Sequence, residues 1–557
     1  MADLPGFTLP LDYTPCDGHD KPLLFPSALD DFASLITLRE IAMLRIMDKI
    51  TDKPQWDVKV FDEDIVKKWK EEALRNDNNV TERMMEWVMA ELRYKTKFFQ
   101  ETGMVIVNDA AGVVKSDVAV TESIKKALKN AVRPLEETPT TKDYHPRGDN
   151  KFLDLVDPSL FPLVYGRSRI LQDELAGIHD CLSKIGKGEA IPIPQLEVDR
   201  TRPLWLRWLP CDVELESESR CKITSYINNL HPRRHKGLYQ VIEDIISCAI
   251  PQWGLSLTAV HRTLRWEMPG RHIEYREVKY EYPEHLEQPQ QEPNEDDDAF
   301  EERRWLWERE NRVVVLPEPG TFTPRDYLRL DLRKEFKDTG LQVIVKLANI
   351  HLTPEEPEYE GGSWHVEGQL NEHICATALL EFRQEVSFDA YGRVRYEQED
   401  YHEWLQEVFG CEQGVIPLVQ EIGDVLCKEG RLLTFPNVLQ HRVSPFRLAD
   451  PTKPGHRKIL ALFLVDPNIR IISTANVPPQ QDEWWREEIR RHKLLGMLPT
   501  ELQEQVLDEL DFPLRMEEAE ALRLALLDDR KAFKKEKKRS SFLSGESNPG
   551  LLCPIQS

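Results

Sequence analysis

Apolar positions at helical spacing open the chain. In PSALDDFASLITLREIAMLRIMDKI (26–50) they recur every three or four residues, which predicts a helix with Ser27 as N-cap behind Pro26. Two more helices are expected, around Asp62 to Leu74 and Thr81 to Phe99, the second with Met84, Trp87, Val88 and Leu92 on one core-facing stripe. The period then changes. GMVIVNDAAGVVKSDVAV predicts a hairpin turning near Asn108 to Gly112, followed by a helix from Thr121 to Ala131 and a Pro-rich surface loop from Arg133 to Asp149. Further on, LYQVIEDIISCAI is helical in pattern, and TLRWEMPGRHIEYREVKYEY reads as a strand pair about Pro269-Gly270. Between them, TSYINNLHP places Tyr226, Asn228, Asn229 and His231 close together, either as a turn whose side chains satisfy the backbone or as part of a pocket.

The later half is strand-like. A helical piece (Tyr327 to Phe336) precedes LQVIVKLANIHL, then ICATALLEF, RVRYE, EIGDVLCKEGRLLTFPNVLQHRVSPF and KILALFLVDP, interrupted by the short helix EWLQEVFG. Short runs bounded by Gly and Pro fit a β-barrel-like core better than a parallel α/β sheet. Helical pattern returns after Pro478 in DEWWREEIRRHKLL, LPTELQEQVLDEL and FPLRMEEAEALRLALLDD. The expected class is α+β. Its organisation is a mainly helical region (1–150), a mixed region (151–340), a β core (341–475), C-terminal helices (476–530) and a disordered tail (531–557). Residues 283–304, acidic and rich in Pro and Gln, read as a mobile insertion that cannot bury enough surface to offset its ordering entropy.

A net charge of -24 argues against general binding to nucleic acid or anionic membranes, since both reward a positive surface. No apolar run approaches the roughly 20 residues of a spanning helix, and MADLPGFTLP has neither the basic nor the apolar part of a secretory signal. Nine dispersed cysteines without a C-x-x-C pair suit a reducing compartment. The expected location is cytoplasmic, with the basic run from Arg530 to Arg539 as a candidate nuclear address. Cys375 reads as a plain buried thiol.

Candidate chemistry gathers around GGSWHVEGQLNEHICATALLEF. His365 and Glu367, two apart on an extended chain, present their side chains to one face. His441, 74 residues beyond Glu367 in an apolar β-prone stretch, offers a third ligand. Two imidazoles and a carboxylate form the facial triad of non-haem Fe(II) oxygenases, which leaves one side of an octahedral ion open. His373 is the nearest competing histidine. Arg457, in HRKILALFLVDP, can pair bidentately with a carboxylate, although Lys458 beside it points to the opposite face. Lys346 and Asn349 are further candidate contacts to such an anion, with Arg442 and Ser444 behind them.

His365, Glu367, His441 and Arg457, in this order, resemble the iron- and 2-oxoglutarate-dependent dioxygenases. SYINNLHP, VDPSLFPLVYG, WLPCDV and GGSWHVEG also resemble a large fungal family of unknown function in which that signature recurs, over roughly residues 20 to 500. The departure is HxE where HxD is commoner. The resemblance implies a double-stranded β-helix (jelly-roll, cupin-like) core with helical flanks. It further implies Fe(II), 2-oxoglutarate and O2 as cofactor and co-substrates, His365, Glu367 and His441 as metal ligands, and Arg457, Lys346 and Asn349 around the 2-oxoglutarate. The expected activity is hydroxylation or oxidative cyclisation of a small molecule such as an amino acid or specialised metabolite. A protein or histone hydroxylase or demethylase, and a non-catalytic binding scaffold, are the alternatives; homo-oligomerisation is left open.

Overall fold

In a computed structural model of the protein, residues 4–13, 24–27, 36–77, 79–109, 111–137, 144, 146, 151–193, 205–261, 264, 272–273, 278–324, 326–383, 386–393, 404–410, 419–491 and 512–543 are described. Its longer helices among the described residues are α1 (Leu38–Thr51), α2 (Glu63–Asn76), α3 (Glu82–Thr102), α4 (Glu122–Glu137), α5 (Lys236–Thr258), α6 (Asp297–Asn311), α7 (Asp482–Arg491) and α8 (Met516–Leu543). The strands that matter for the site are β1 (Val105–Asn108), β2 (Val113–Ser116), β3 (Phe152–Val156), β4 (Cys211–Glu214), β5 (Lys222–Ile223), β6 (Leu341–Leu352) and β7 (Glu358–Tyr359). After these come β8 (Ile374–Arg383), β9 (Val386–Arg393), β10 (Val419–Cys427), β11 (Leu432–Pro436), β12 (Leu439–Val443), β13 (Phe446–Arg447) and β14 (Gly455–Val465). This is a mixed, α+β arrangement of helices and antiparallel sheets.

The large sheet has nine strands in the order β1-β2-β11-β8-β14-β6-β4-β5, with β3 also paired to β6. A second sheet holds β10-β9-β12, and an isolated antiparallel bridge joins His365 to His441 on β12. The centre of the large sheet is buried on both faces, which explains its unbroken apolar runs. On β14, Leu460, Leu462 and Leu464 belong to the same core cluster as Ile242, Ile246 and Trp253 of α5, while Ala461, Phe463 and Val465 join a separate cluster with Ile344, Trp208 and Leu526. Each such side chain, fully buried, contributes roughly 1.5–3 kcal/mol.

α1 and α3 form a satellite core through Met43, Leu44 and Met47 against Met84, Met85, Val88 and Leu92. α1 starts later than its pattern predicts. Its N-cap is Thr37, whose hydroxyl accepts from Glu40 N at 3.2 Å; Phe25 to Ser27 are not helical, and the Phe25 amide donates to Asp466 at 2.5 Å. The stripe on α3 is core, as expected, behind the Thr81 cap. The hairpin is β1–β2.

Two segments read from composition as a mobile insertion and a disordered tail carry helix. Within 283–304 the chain becomes helical at Asp297 and stays so to Asn311, with Asp297 and Asp298 at the favourable end of the helix dipole and Arg303 bound to Glu295. The helix buries no residue, so composition alone gave no sign of it. Likewise α8 continues through 531–543, where a disordered tail was expected. The helical piece expected from Tyr327 shrinks to Leu332–Glu335 behind the Asp331 cap. The strand pair about Pro269-Gly270, the later part of RVRYE and the helix LPTELQEQVLDEL lie outside the described residues.

Candidate metal centre

The approach to His365 depends on glycine. Gly361 has φ +93°, and a Cβ there would stand 3.0 Å from Val443 O. The bare backbone therefore comes close to β12, where Gly362 N donates to Val443 O at 2.8 Å. His365 and His441 then exchange both backbone hydrogen bonds, at 3.0 and 2.8 Å. Directly opposed residues share a face, and the two imidazole centroids lie 4.4 Å apart.

Glu367 follows on the same side. Its backbone is fixed by Asn437, whose Oδ1 accepts from Glu367 N at 3.1 Å and whose Nδ2 donates to Glu367 O and Ile374 O, both at 2.9 Å. The Glu367 carboxylate oxygen Oε1 lies 3.2 Å from His441 Nε2 and 3.6 Å from His365 Nε2. Burial alone would raise the Glu367 carboxyl, but hydrogen bonds and charge from His365 and His441 hold it well below the usual carboxylate range. On the other side of the His365 ring, Nδ1 is 2.7 Å from Ser363 O. A carbonyl only accepts, so Nδ1 carries a proton there, and the ring is oriented with Nε2 toward the Glu367 carboxylate. Phe435 meets the His441 ring edge-on at 4.9 Å.

This donor set fits a metal ion. Two ligands each ~2.1 Å from a cation and at right angles to one another lie ~3 Å apart, close to the two separations above.

The other expected residues are dispersed. Arg457 is on β14, 1% exposed, with Nη2 4.0 Å from Cys427 Sγ and its guanidinium 5.8 Å from the Phe446 ring centre. Burial pushes its pKa down to about 9. That position is beside the Tyr359–Phe446 ring pair. Lys346 pairs in register with Ala461 and lies 3.9 Å from Asp154. Burial opposes its charge, but Asp154, Asp157 and Glu367 outweigh that and raise its pKa. Asn349 is not part of the group. In register with Lys458, it faces α4, where both reach Glu136, the Asn349 amide at 2.8 Å. The alternation of a strand separates it from Lys346. His373 caps the turn Leu370–Glu372 with φ 47°, Arg442 stacks on Trp364 at 4.6 Å, and Cys375 is buried.

TSYINNLHP takes the structural alternative. Asn228 and Asn229 donate to the carbonyls of Leu160, Phe161 and Asp157, and His231 Nδ1 accepts from Arg233 N and Arg234 N. Asn437 and Phe435 escaped notice in the sequence. The Pro-Asn step in TFPNVLQ was the available signal, since Asn after Pro marks a turn with a free side-chain amide.

A family model described as a protein of unknown function (DUF4246) matches residues 82–488, and one for its N-terminal domain matches 4–72. The chain belongs to the DUF4246 family. No curated protein matches this DUF4246 chain. Among solved structures, a Lactobacillus farciminis oxalate decarboxylase in complex with formate matches at 10% identity and a TM-score of 0.12, over 34% of this chain and 50% of that one. The DUF4246 chain thus spans about half the length of that structure, and the likeness is too slight to carry an argument.

A second group in this DUF4246 protein, His272 with Glu91 and Asp109, also has metal-ligand composition. It already holds its own cations. Lys95 lies 2.7 Å from Glu91 and 3.0 Å from Asp109, and His272 lies 2.8 Å from Glu40 and 2.9 Å from Glu91. Burial lowers the His272 pKa, but Glu91 and Glu40 overcome it and push it up to about 10, so this is an ion-pair network joining α1 and α3. No helix among the described residues is long and apolar enough to cross a membrane.

Proposed function

We propose that this DUF4246 protein is a non-haem Fe(II)- and 2-oxoglutarate-dependent oxygenase that hydroxylates or oxidatively cyclises a small molecule. The observation that carries the reading is the convergence of His365 Nε2, His441 Nε2 and a Glu367 oxygen on one point, from two chain segments that meet only through folding. Such a set leaves part of an octahedral ion open to exchangeable ligands.

The strand path supports a double-stranded β-helix core. From β6 the chain passes to the His365 segment beside β12, back to β8, across to β9 and β10, back to β11, across to β12 and back to β14. Repeated crossing between two antiparallel sheets is the winding that such a jelly-roll requires.

Bound iron and 2-oxoglutarate would supply oxygen activation coupled to decarboxylation. The chain's own part is to hold and to shield. His365, presented through its Ser363 bond, and His441, backed by Phe435, offer ring nitrogens, while Glu367, held well below the usual carboxylate range, stays anionic. Lys346 and Arg457 are the cations available to a carboxylate co-substrate, and Lys346 is the one that senses Glu367.

Anaerobic titration with Fe(II) and 2-oxoglutarate tests the reading. A weak visible charge-transfer band is expected in the wild type and not in His365→Ala. Absence of the band, with no succinate formed over a broad substrate panel, would favour the non-catalytic scaffold.

A further inference from the structure

The turn that carries Glu367 into β8 is secured from the far end of the chain. Glu372 is fully buried and accepts from Gln369 N and Trp208 N, both at 2.7 Å, and from Arg530 Nη2 at 2.6 and 2.8 Å to its two oxygens. Arg530 belongs to α8, which lies beyond the matched residues 82–488. Without that guanidinium, a buried carboxylate would retain only backbone donors.

The same guanidinium lies over Trp208, 3.7 Å from its ring centre, and Trp208 stacks on Phe463 at 5.5 Å. Phe463 is in register with Thr377, and Thr377 with Phe435, whose ring rests on His441. One turn nearer the start of α8, Leu526 is fully buried in the cluster of Ile344, Ala461, Phe463 and Trp208, and Arg523 reaches Asp157 at 3.5 Å. α8 therefore reaches the interior at two places: the Glu372–Gln369 turn that follows Glu367, and the Trp208–Phe463 stack, whose Phe463 shares a row across the sheet with Phe435 beside His441.

We infer that Arg530 is a positioning residue of the candidate metal centre, and that α8 completes this centre by bracing the Glu367 turn and covering the sheet face beside it. The inference rests on the proposed metal centre. Removing the outer support of a metal ligand typically costs 10–100-fold in affinity, with the ligands themselves untouched.

Full-length Arg530→Met and Arg530→Lys test this with Co(II), whose affinity is read by titration and whose release is read by a chelator. Amide exchange over residues 367–374 and the melting temperature are measured on the metal-free proteins. Arg530→Met is expected to bind Co(II) about 10–100-fold more weakly, to release it faster and to exchange faster over 367–374. Arg530→Lys, with charge but no planar fork, should fall between. If Arg530→Met does not fold, Arg530→Lys decides by the same readings. Wild-type Co(II) affinity in Arg530→Met, with unchanged exchange, would overturn the inference. If wild type binds no Co(II), the metal-centre reading fails, and the exchange of 367–374 alone then decides whether Arg530 braces the turn.

Discussion

Glu367 is held by its backbone as much as by its charge. Asn437 grips both the amide and the carbonyl of that one residue, so it sets where the carboxylate points without touching the carboxylate. Asn437→Ala should lower Fe(II) affinity about 10–100-fold, read by anaerobic calorimetry, and leave the backbone circular dichroism unchanged. Glu367→Gln keeps the shape but removes the anion, and should lose measurable Fe(II) binding altogether. The two interior cations invite a direct comparison. Lys346→Met should weaken 2-oxoglutarate binding more than Arg457→Met if the nearer charge anchors the co-substrate, and equilibrium binding to the Fe(II) protein measures both. That His365 and Glu367 point the same way was legible in the sequence because two-residue spacing on an extended chain fixes the face, whereas the bridge that brings His441 beside His365 is a contact only the fold supplies. Asn349 was misplaced because Lys346 and Asn349, three apart, cannot share a face on an unbroken strand, and only register showed that the face of Asn349 belongs to α4.

Among the elements, the junction of α1 with α3 carries its own pH signature. His272 sits between Glu40 and Glu91, with a folded pKa near 10 against an ordinary 6.5. A group raised on folding stabilises fully below its unfolded pKa, and that contribution disappears as pH rises through the folded value. The stability difference between wild type and His272→Gln should therefore be largest below about pH 6.5 and vanish toward pH 10, as followed by urea unfolding across that range. Strands and helices with one clear apolar period were readable, and β6, β14, α3 and α5 fall where the pattern put them. What pattern could not give was the start of α1, because Ser27 and Thr37 both precede apolar residues at helical spacing and only the structure shows that Thr37 caps the helix. α6 was invisible for the opposite reason, since a helix with no buried side leaves no period to detect.

The whole molecule is strongly acidic, at -24. Duplex DNA should show no binding at 150 mM salt by fluorescence anisotropy, because the counterion release that drives such binding needs a positive face. The sheet order was beyond the sequence's reach. Partners such as β2 and β11 meet across three hundred residues, and nothing local specifies them.

The reciprocal backbone bond between His365 and His441 has a kinetic meaning. It closes a loop of more than seventy residues, so no short fragment can assemble the ligand set. A cation bound there would act as a clasp fastened late, after the second sheet has come to rest against the first. Holding it should slow the escape of that sheet more than it hastens its arrival.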